Sequence, residues 1–211
     1  AIISMVLPAF YIAVTTYNPD IIPTKLALSI ASSREGVPFP AILEAIIMEV
    51  SIELLREAGV RLPDPIGATI GIVGGIIIGQ AAVAANIVSP IMVIIVSLTA
   101  ISSFTIPNFG LNTGLILIRF GLMLLAAFLG LYGIMLGVIA TLIHLVNLKS
   151  FGVPYLAPFV SVSAGDFKDS VVRYPLSTFI YRPEFLDVNN KKRMKRMSLK
   201  SKYTTNRSRK R

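Results

Sequence analysis

The chain of 211 residues contains no cysteine, no tryptophan and a single histidine. The absence of cysteine excludes disulfides, zinc–thiolate sites and a thiol nucleophile, and one histidine excludes most histidine-based metal sites. Charged residues make up 15% of the chain, whereas soluble domains carry about 25%. The remainder is strongly apolar, because 54% of the residues are hydrophobic and the mean hydropathy is +0.74. This composition predicts an integral membrane protein without a cofactor or a bound metal.

Charge is distributed unevenly along the chain. Residues 1–148 hold five Lys/Arg and seven Asp/Glu, a net charge of −2, whereas residues 149–211 hold fifteen Lys/Arg and four Asp/Glu, a net charge of +11. Residues 191–211 alone contain eleven Lys/Arg and no acid. The positive-inside rule therefore predicts a cytoplasmic C-terminal tail that also contacts anionic lipids. Only Tyr203 lies among these charges, so we predict no nucleic-acid binding.

The apolar part of the chain contains several runs of about 18–20 residues, long enough to cross a hydrocarbon core of roughly 30 Å as helix. We predict an all-α polytopic membrane protein with about four transmembrane helices and one Glu-rich amphipathic helix. The transmembrane domain covers 1–148 and the basic tail covers 149–211. The predicted spans lie near 1–17, 66–85, 88–106 and 119–148, with the amphipathic helix near 39–58.

The last apolar stretch, roughly 113–148, is too long for one upright span, because as helix it would extend over about 50 Å. It is either one tilted helix that starts near Arg119 or two short helices broken near 130–133. We favour one tilted helix with Arg119 at the interface.

The N-terminal run AIISMVLPAFYIAVTT lacks an initiator Met, a basic n-region and a cleavage site, so it does not resemble a signal peptide. We expect the chain to be a fragment whose upstream part is missing. The side of the N-terminus depends on the Glu-rich helix. It is outside if that helix spans the membrane, and inside if that helix lies in the interface or lines a cavity without crossing.

Four glycines recur at every fourth position of the run GATIGIVGGIIIGQ, namely Gly67, Gly71, Gly75 and Gly79. A glycine inside a helix costs about 1 kcal/mol relative to alanine in water. In lipid, small residues instead let helix backbones approach closely. Successive positions drift by only about 40° around the helix, so the four form one groove. We interpret this groove as a helix-packing face; the alternative is a smooth face that surrounds a pore or lets another element move.

The helix predicted near 39–58 carries four glutamates, at Glu44, Glu49, Glu53 and Glu57, and Gly59 is expected to end it. The last three glutamates and Arg56 occupy an arc of about 100°, whereas Glu44 points nearly the opposite way. One interpretation is an amphipathic interfacial helix with solvated acids and Arg56 paired with Glu53. The other is a ring of carboxylates along a cation pathway, with one set from each subunit of an oligomer.

Two further residues have alternative readings. Arg119 is interpreted as an interfacial anchor, and the alternative is a partner for one of the glutamates. His144, near the end of the last span, is interpreted as an interfacial side chain. The sequence shows no nucleophile, no phosphate-binding glycine loop and no metal cluster to accompany the carboxylates. We therefore do not predict an enzyme.

Much of residues 1–197 resembles the GerA family, the A subunits of bacterial spore germinant receptors. The ending RPEFLDVNNKKRM is also similar to the C-terminal close of that family. The stretches that carry the resemblance are TTYNPDIIPTKLALSIASSREGVPFP, EAIIMEVSIELLREAGVRLPDPIG, IGIVGGIIIGQAAV, IVSPIMVIIVSLTAISSFTIPN, RFGLMLLAAFLGLYGI and SFGVPYLAPF.

The resemblance implies more than the residues themselves predict. Family members carry a large cytoplasmic domain before the membrane region, which favours an inside N-terminus, four spans and a Glu-rich helix that does not cross. The A subunit works with a transporter-like B subunit that senses nutrient and with a lipoprotein C subunit, in the spore inner membrane. A subunits are thought to oligomerise into a nutrient-gated cation channel that begins germination, and a sporulation-stage paralogue shares the same region.

Two functions follow as hypotheses. In the first, the chain is a subunit of an oligomeric cation channel in which Glu49 and Glu53 matter for flux. In the second, the chain is a non-conducting scaffold that docks the nutrient-sensing subunit and relays its signal. The scaffold hypothesis predicts that bulky replacements of Gly71 or Gly75 abolish assembly of the complex.

Overall fold

The computed structural model describes residues 1–157, 159–160, 181–182 and 189–193. It divides into two compact units, residues 1–141 and residues 142–211. The first unit is built from helices, and the second contains a short two-stranded hairpin. Within the described residues, the prediction of an all-α chain is confirmed at the level of a mostly helical fold.

The helices follow one another with short connections. In chain order they are α1 (Ile2–Thr16), a 3₁₀ turn (Pro19–Ile21), α2 (Thr24–Arg34), α3 (Ala41–Arg61), α4 (Asp64–Ala84), α5 (Pro90–Phe104) and α6 (Phe109–Asn147). In the second unit, β1 (Lys149–Ser150) pairs antiparallel with β2 (Val153–Pro154). Most of the predicted basic tail, including its ending, lies outside the described residues.

Prolines mark the starts of the middle helices. Pro23, Pro40 and Pro63 each stand directly before the first residue of a helix, and Pro90 is the first residue of α5. A proline lacks the amide that would have no intrahelical partner there, and its φ suits the first turn. Ser89 completes the start of α5, because its hydroxyl accepts a hydrogen bond from the Met92 amide.

The core of the first unit lies where α1, α3, α5 and α6 meet. Small side chains on α1 and α3 let the helices approach closely, and larger side chains of α5 fill the space between them. The fully or almost fully buried members include Ala9, Ile12, Ala45, Met92 and Val96. The core therefore fixes α3, the helix that carries the glutamates, against its neighbours.

Among the described residues, one helix is long and apolar enough to cross a membrane, Gly110–Asn147, with a mean hydropathy of 2.4. Three shorter apolar helices accompany it, at Ile2–Thr16, Gly74–Ala84 and Pro90–Phe104. The prediction of four spans thus stays a prediction, whereas one apolar helix of spanning length is present.

The long helix α6 is interrupted at Gly130, whose φ of 61° and ψ of −141° are not helical. Within the first unit this gives α6 a first arm, residues 109–129, and a second arm, residues 131–141. The prediction of one tilted helix therefore needs correction. The break lies at residue 130, within the 130–133 region where the alternative of two short helices places it.

The second arm folds back on the first instead of continuing it. A Cβ added at Gly133 would overlap the carbonyl oxygen of Leu125, and one added at Gly137 would overlap the Leu122 side chain. In a continuous helix residues 122 and 137 would be about 22 Å apart. Gly133 and Gly137 therefore supply the smooth face that lets the two arms pack against each other.

Candidate functional site

Each of the four glutamates of α3 forms an ion pair with an arginine, so none of these carboxylates is an unpaired charge. The nitrogen–oxygen distances are 3.0 Å for Arg34–Glu44, 2.6 Å for Arg119–Glu49, 3.0 Å for Arg56–Glu53 and 2.5 Å for Arg61–Glu57. The cluster combines two pairs within α3 and two that join α3 to other helices.

Burial separates these glutamates into two kinds. The side chains of Glu44 and Glu49 are 0% and 2% exposed, whereas those of Glu53 and Glu57 are 35% and 53% exposed. A buried carboxylate without its cation is strongly destabilising, but an exposed ion pair contributes only about 0–1 kcal/mol. The two buried glutamates therefore hold helices together, and of these four only Glu53 and Glu57 have side chains that are more than a third exposed.

Glu44 joins three elements at one end of the bundle. One carboxylate oxygen accepts a hydrogen bond of 3.1 Å from Nε of Arg34, which lies at the end of α2. The other accepts a hydrogen bond of 2.8 Å from the backbone amide of Ser89, just before α5. A negative charge at this position also interacts favourably with the positive end of the α5 dipole. Glu44 thus points away from the other three glutamates, as its helical position predicts, and connects α3 to the end of α2 and to the start of α5.

Glu49 and Arg119 form a buried link between α3 and the first arm of α6. Arg119 is 1% exposed, and its Nη1 donates to Oε2 of Glu49 at 2.6 Å. Among the described residues, Oε1 of Glu49 and both Nε and Nη2 of Arg119 have no hydrogen-bond partner. Of the two readings of Arg119, partnership with a glutamate is therefore the one that the structure displays.

Arg56 connects α3 to α5 through three kinds of contact. Its Nη1 donates to Glu53, as the spacing of three residues predicts, and its Nη2 donates to the Ser103 hydroxyl at 2.7 Å. The guanidinium also lies 5.3 Å from the centre of the Phe104 ring, within range of a cation–π interaction. Arg56 is thereby a structural anchor as well as a partner of Glu53.

The four glycines of α4 have two different environments. Gly67 and Gly79 are buried, and a Cβ at these positions would lie 2.5 Å from the Gly59 carbonyl oxygen and 3.6 Å from Val93. Gly71 and Gly75 are exposed, and a Cβ there would meet nothing within 4 Å. The outer two glycines therefore touch neighbouring helices, and the central two do not.

Gly71 and Gly75 instead line an open groove of about 1170 Å³ between α3, α4 and α5. The groove is lined mainly by apolar side chains, and Arg56 and Gln80 are among its few polar residues. Its volume is comparable to that of a helix of about ten residues, given a helix diameter of about 10–12 Å.

The outer face of α3 carries an exposed apolar stripe. Its members are spaced four, three and four residues apart, which is the spacing of a helix-packing seam. They are Leu43, Ile47, Val50 and Leu54. Glu57 and Arg61, also exposed, continue the same spacing at the end of the stripe. We name this surface the α3 stripe.

Several contributors to these contacts were absent from the sequence-based candidates. Ser103 lies 47 residues from Arg56, and Arg34 lies 10 residues from Glu44 on a different helix, so neither contact follows a local pattern and only tertiary packing identifies them. Ser89 had a usable signal, because a serine before proline is typical of a helix start. Within the described ranges, His, Asp and Glu side chains form no cluster of three able to hold a metal.

These features together define a helical, membrane-type protein with ion pairs buried between its helices. The chain belongs to the Bacillus/Clostridium GerA spore germination protein family, whose family model matches residues 1–185. The resemblance noted in the sequence is thereby confirmed.

Individual relatives agree with this assignment. Spore germination protein KA of Bacillus subtilis (strain 168) is 50% identical over 191 residues, 90% of this chain and 35% of that protein. Spore germination protein GerLA of Bacillus cereus is 48% identical over 189 residues, 90% of this chain and 38% of that protein. The uncharacterized membrane protein YfkQ of Bacillus subtilis (strain 168) is 54% identical over 181 residues, 86% of this chain and 35% of that protein.

The chain spans little more than a third of the length of these curated relatives. No solved structure matches it.

Proposed function

We propose that the chain is the membrane region of a spore germinant receptor subunit and contributes to a cation path that opens when germination begins. Membership of the GerA family and the names of the relatives support the role in germination. The accessible pair of carboxylates at the end of the α3 stripe is the observation that carries the cation path. No catalytic step is assigned to the chain.

In this proposal, copies of the chain assemble through the α3 stripe. An apolar seam of this spacing favours packing against a second helix of the same kind. Glu53 and Glu57 lie beside or on the seam, so assembly would bring carboxylates of several copies near one axis. Rings of carboxylates select cations in channels.

The local ion pairs do not oppose this role. Both pairs lie within one helix. Arg61–Glu57 is exposed, and such pairs contribute only about 0.3–0.5 kcal/mol, whereas Arg56–Glu53 joins a partly exposed carboxylate to a largely buried guanidinium. A passing cation therefore competes for the carboxylates of Glu57 and Glu53 while Arg56 stays anchored to Ser103 and Phe104. Glu44 and Glu49 are different, because their carboxylates are buried and hold other helices.

Neutralising the accessible carboxylates tests the cation path. In the full chain, Glu53→Gln together with Glu57→Gln should reduce cation release from germinating spores severalfold, because the ring loses its charge while the fold keeps its buried pairs. The matched control is Glu35→Gln, which neutralises an exposed acid outside α3. Equal cation release from the double variant and the control, at equal protein levels, would remove the cation path from the proposal.

A second candidate function is a non-conducting scaffold, and the groove beside α4 favours it. Gly71 and Gly75 open onto a groove whose volume is comparable to that of about ten residues of helix, and small residues at such a surface allow a partner helix to approach closely. In this version the groove receives a helix of the transporter-like B subunit, and the lipoprotein C subunit completes the complex.

Bulky replacements in the groove separate the two candidates. Gly71→Leu and Gly75→Leu should abolish co-purification of the B subunit, because the new side chains start in open space and occupy the groove. Gly121→Leu is the control, since Gly121 is also exposed and has open space around it, but lies on α6. Undiminished co-purification by both groove variants would exclude the scaffold role of this groove.

We also propose that the chain crosses the spore inner membrane about four times and that its C-terminus is cytoplasmic. The apolar helices support several crossings, and the basic composition of the tail supports a cytoplasmic C-terminus. Because the chain has no native cysteine, labelling of single cysteines at positions 40–58 from each side of the membrane tests whether α3 crosses.

A further inference from the structure

The turn at Gly130 has a backbone geometry that only glycine adopts easily. With a positive φ and a ψ of −141°, it lies outside the regions open to residues that carry a Cβ. Gly130 is buried, and a Cβ there would also lie 3.2 Å from the Tyr17 side chain. The chain can therefore reverse direction here only because residue 130 is glycine.

Interrupting a helix leaves its last carbonyl groups without their usual amide partners. At this turn the Tyr17 hydroxyl takes the place of those amides, because its oxygen lies 2.7 Å from the Ala127 carbonyl oxygen and 3.1 Å from that of Phe128. Tyr17 is the residue that follows α1. One side chain thus ties the end of α1 to the turn between the two arms of α6.

The two arms are held with unequal strength. The first arm is fixed to α3 by the buried pair of Arg119 and Glu49. The first arm also places Leu122, Met123 and Ala126 in the core, whereas the second arm, over residues 131–141, packs on the first through Gly133 and Gly137 and contributes one buried core side chain, Ile134. Removing the restraint at the turn should therefore move the second arm and leave the first in place.

We propose that the Tyr17 hydroxyl is a latch on a hinge at Gly130, so that the position of α1 controls the angle between the arms of α6. With the hydrogen bonds made, the arms are closed. When Tyr17 withdraws, the second arm swings away from the first. The proposal holds whether or not the chain conducts ions, because it rests on the turn and its contacts.

The hinge is testable by distance measurement in the full chain, because the absence of cysteine allows two labels to be placed cleanly. Leu117→Cys and Ile139→Cys place nitroxide labels at two exposed positions, one on each arm. In the closed hairpin their backbones are about 10–12 Å apart, and a continuous helix would separate them by about 33 Å. Pulsed electron paramagnetic resonance measures the distance between the two nitroxides and so distinguishes these states.

Tyr17→Phe removes the hydroxyl and keeps the ring. We expect it to raise the open population about 2- to 12-fold, the effect of losing one intramolecular hydrogen bond. Gly130→Ala should open the arms regardless of Tyr17, because alanine does not tolerate the backbone angles of the closed turn. The controls are Tyr132→Phe, at an exposed tyrosine of the second arm, and Gly121→Ala, at an unrestricted glycine of the first.

The outcomes separate the two parts of the proposal. If Tyr17→Phe leaves the distance distribution unchanged while Gly130→Ala opens it, the latch is rejected. If both leave it unchanged, the hinge is rejected as well. Should Gly130→Ala fail to fold, Tyr17→Phe still decides, because Tyr17 is half exposed at the end of a helix and its ring is retained.

Discussion

Replacing Arg119 by methionine should lower the free energy of unfolding by about 3–5 kcal/mol, the usual cost of leaving one charge of a buried ion pair without its partner. Arg119 and Glu49 are 1% and 2% exposed, so water cannot replace the lost guanidinium. The spare carboxylate oxygen of Glu49 already lacks a partner in the described part of the chain, so the change leaves both oxygens unsatisfied.

A double-mutant cycle identifies the pair as the cause. Arg119→Met and Glu49→Leu should each be strongly destabilising, and the two together should be much less so than their sum, because the double variant buries no charge. Glu57→Gln is the control, since it removes a carboxylate of the same helix from an exposed pair and should cost about 0–1 kcal/mol. Unfolding is followed by circular dichroism of the full chain in detergent.

Two results would contradict this account. Arg119→Met could prove no more destabilising than Glu57→Gln, which would mean that the pair is solvated in the membrane. Alternatively, the effects of Arg119→Met and Glu49→Leu could simply add, which would mean that the two side chains do not interact. Either result would return Arg119 to its first interpretation, an anchor at the interface.

The sequence predicted local pairing better than distant pairing. Arg56 stands three residues after Glu53 on one helix, so their contact follows from helical geometry alone. Arg119 lies 70 residues from Glu49, and the sequence could offer their pairing only as an alternative. Arg34 raised no expectation, because its contact with Glu44 depends on how α2 and α3 turn about the intervening loop.

The roles of the glycines were also difficult to predict from the sequence alone. A glycine near the end of a helical pattern usually marks its end, so we expected α3 to stop at Gly59, but α3 continues to Arg61. Gly59 instead provides the close contact with Gly67. At Gly130 the sequence offered a break and a continuous helix, and it could not show that Tyr17 satisfies the carbonyls of the turn. Only the three-dimensional arrangement distinguishes a glycine used for packing from one used for a turn.

Gly67 and Gly71 lie one helical turn apart on α4 but have different environments. Replacing each by alanine should therefore change the stability of the chain in opposite directions. Gly67→Ala should destabilise the chain by about 1–3 kcal/mol, because the new Cβ would press into the Gly59 backbone and overpacked sites cost that much. The separation of 2.5 Å from the Gly59 carbonyl oxygen involves backbone, which cannot move aside as a flexible side chain would.

Gly71→Ala should be neutral or stabilising, by up to about 1 kcal/mol, because alanine favours helix over glycine and nothing lies within 4 Å of the new methyl group. The two variants differ only in position, so composition and helix propensity cancel when their thermal unfolding is compared in the same detergent. Equal stability of the two would show that the crossing of α3 and α4 at Gly59 and Gly67 is looser than the contact distance implies. A loss confined to Gly67→Ala would instead assign close packing to Gly67 and leave Gly71 free to serve the groove.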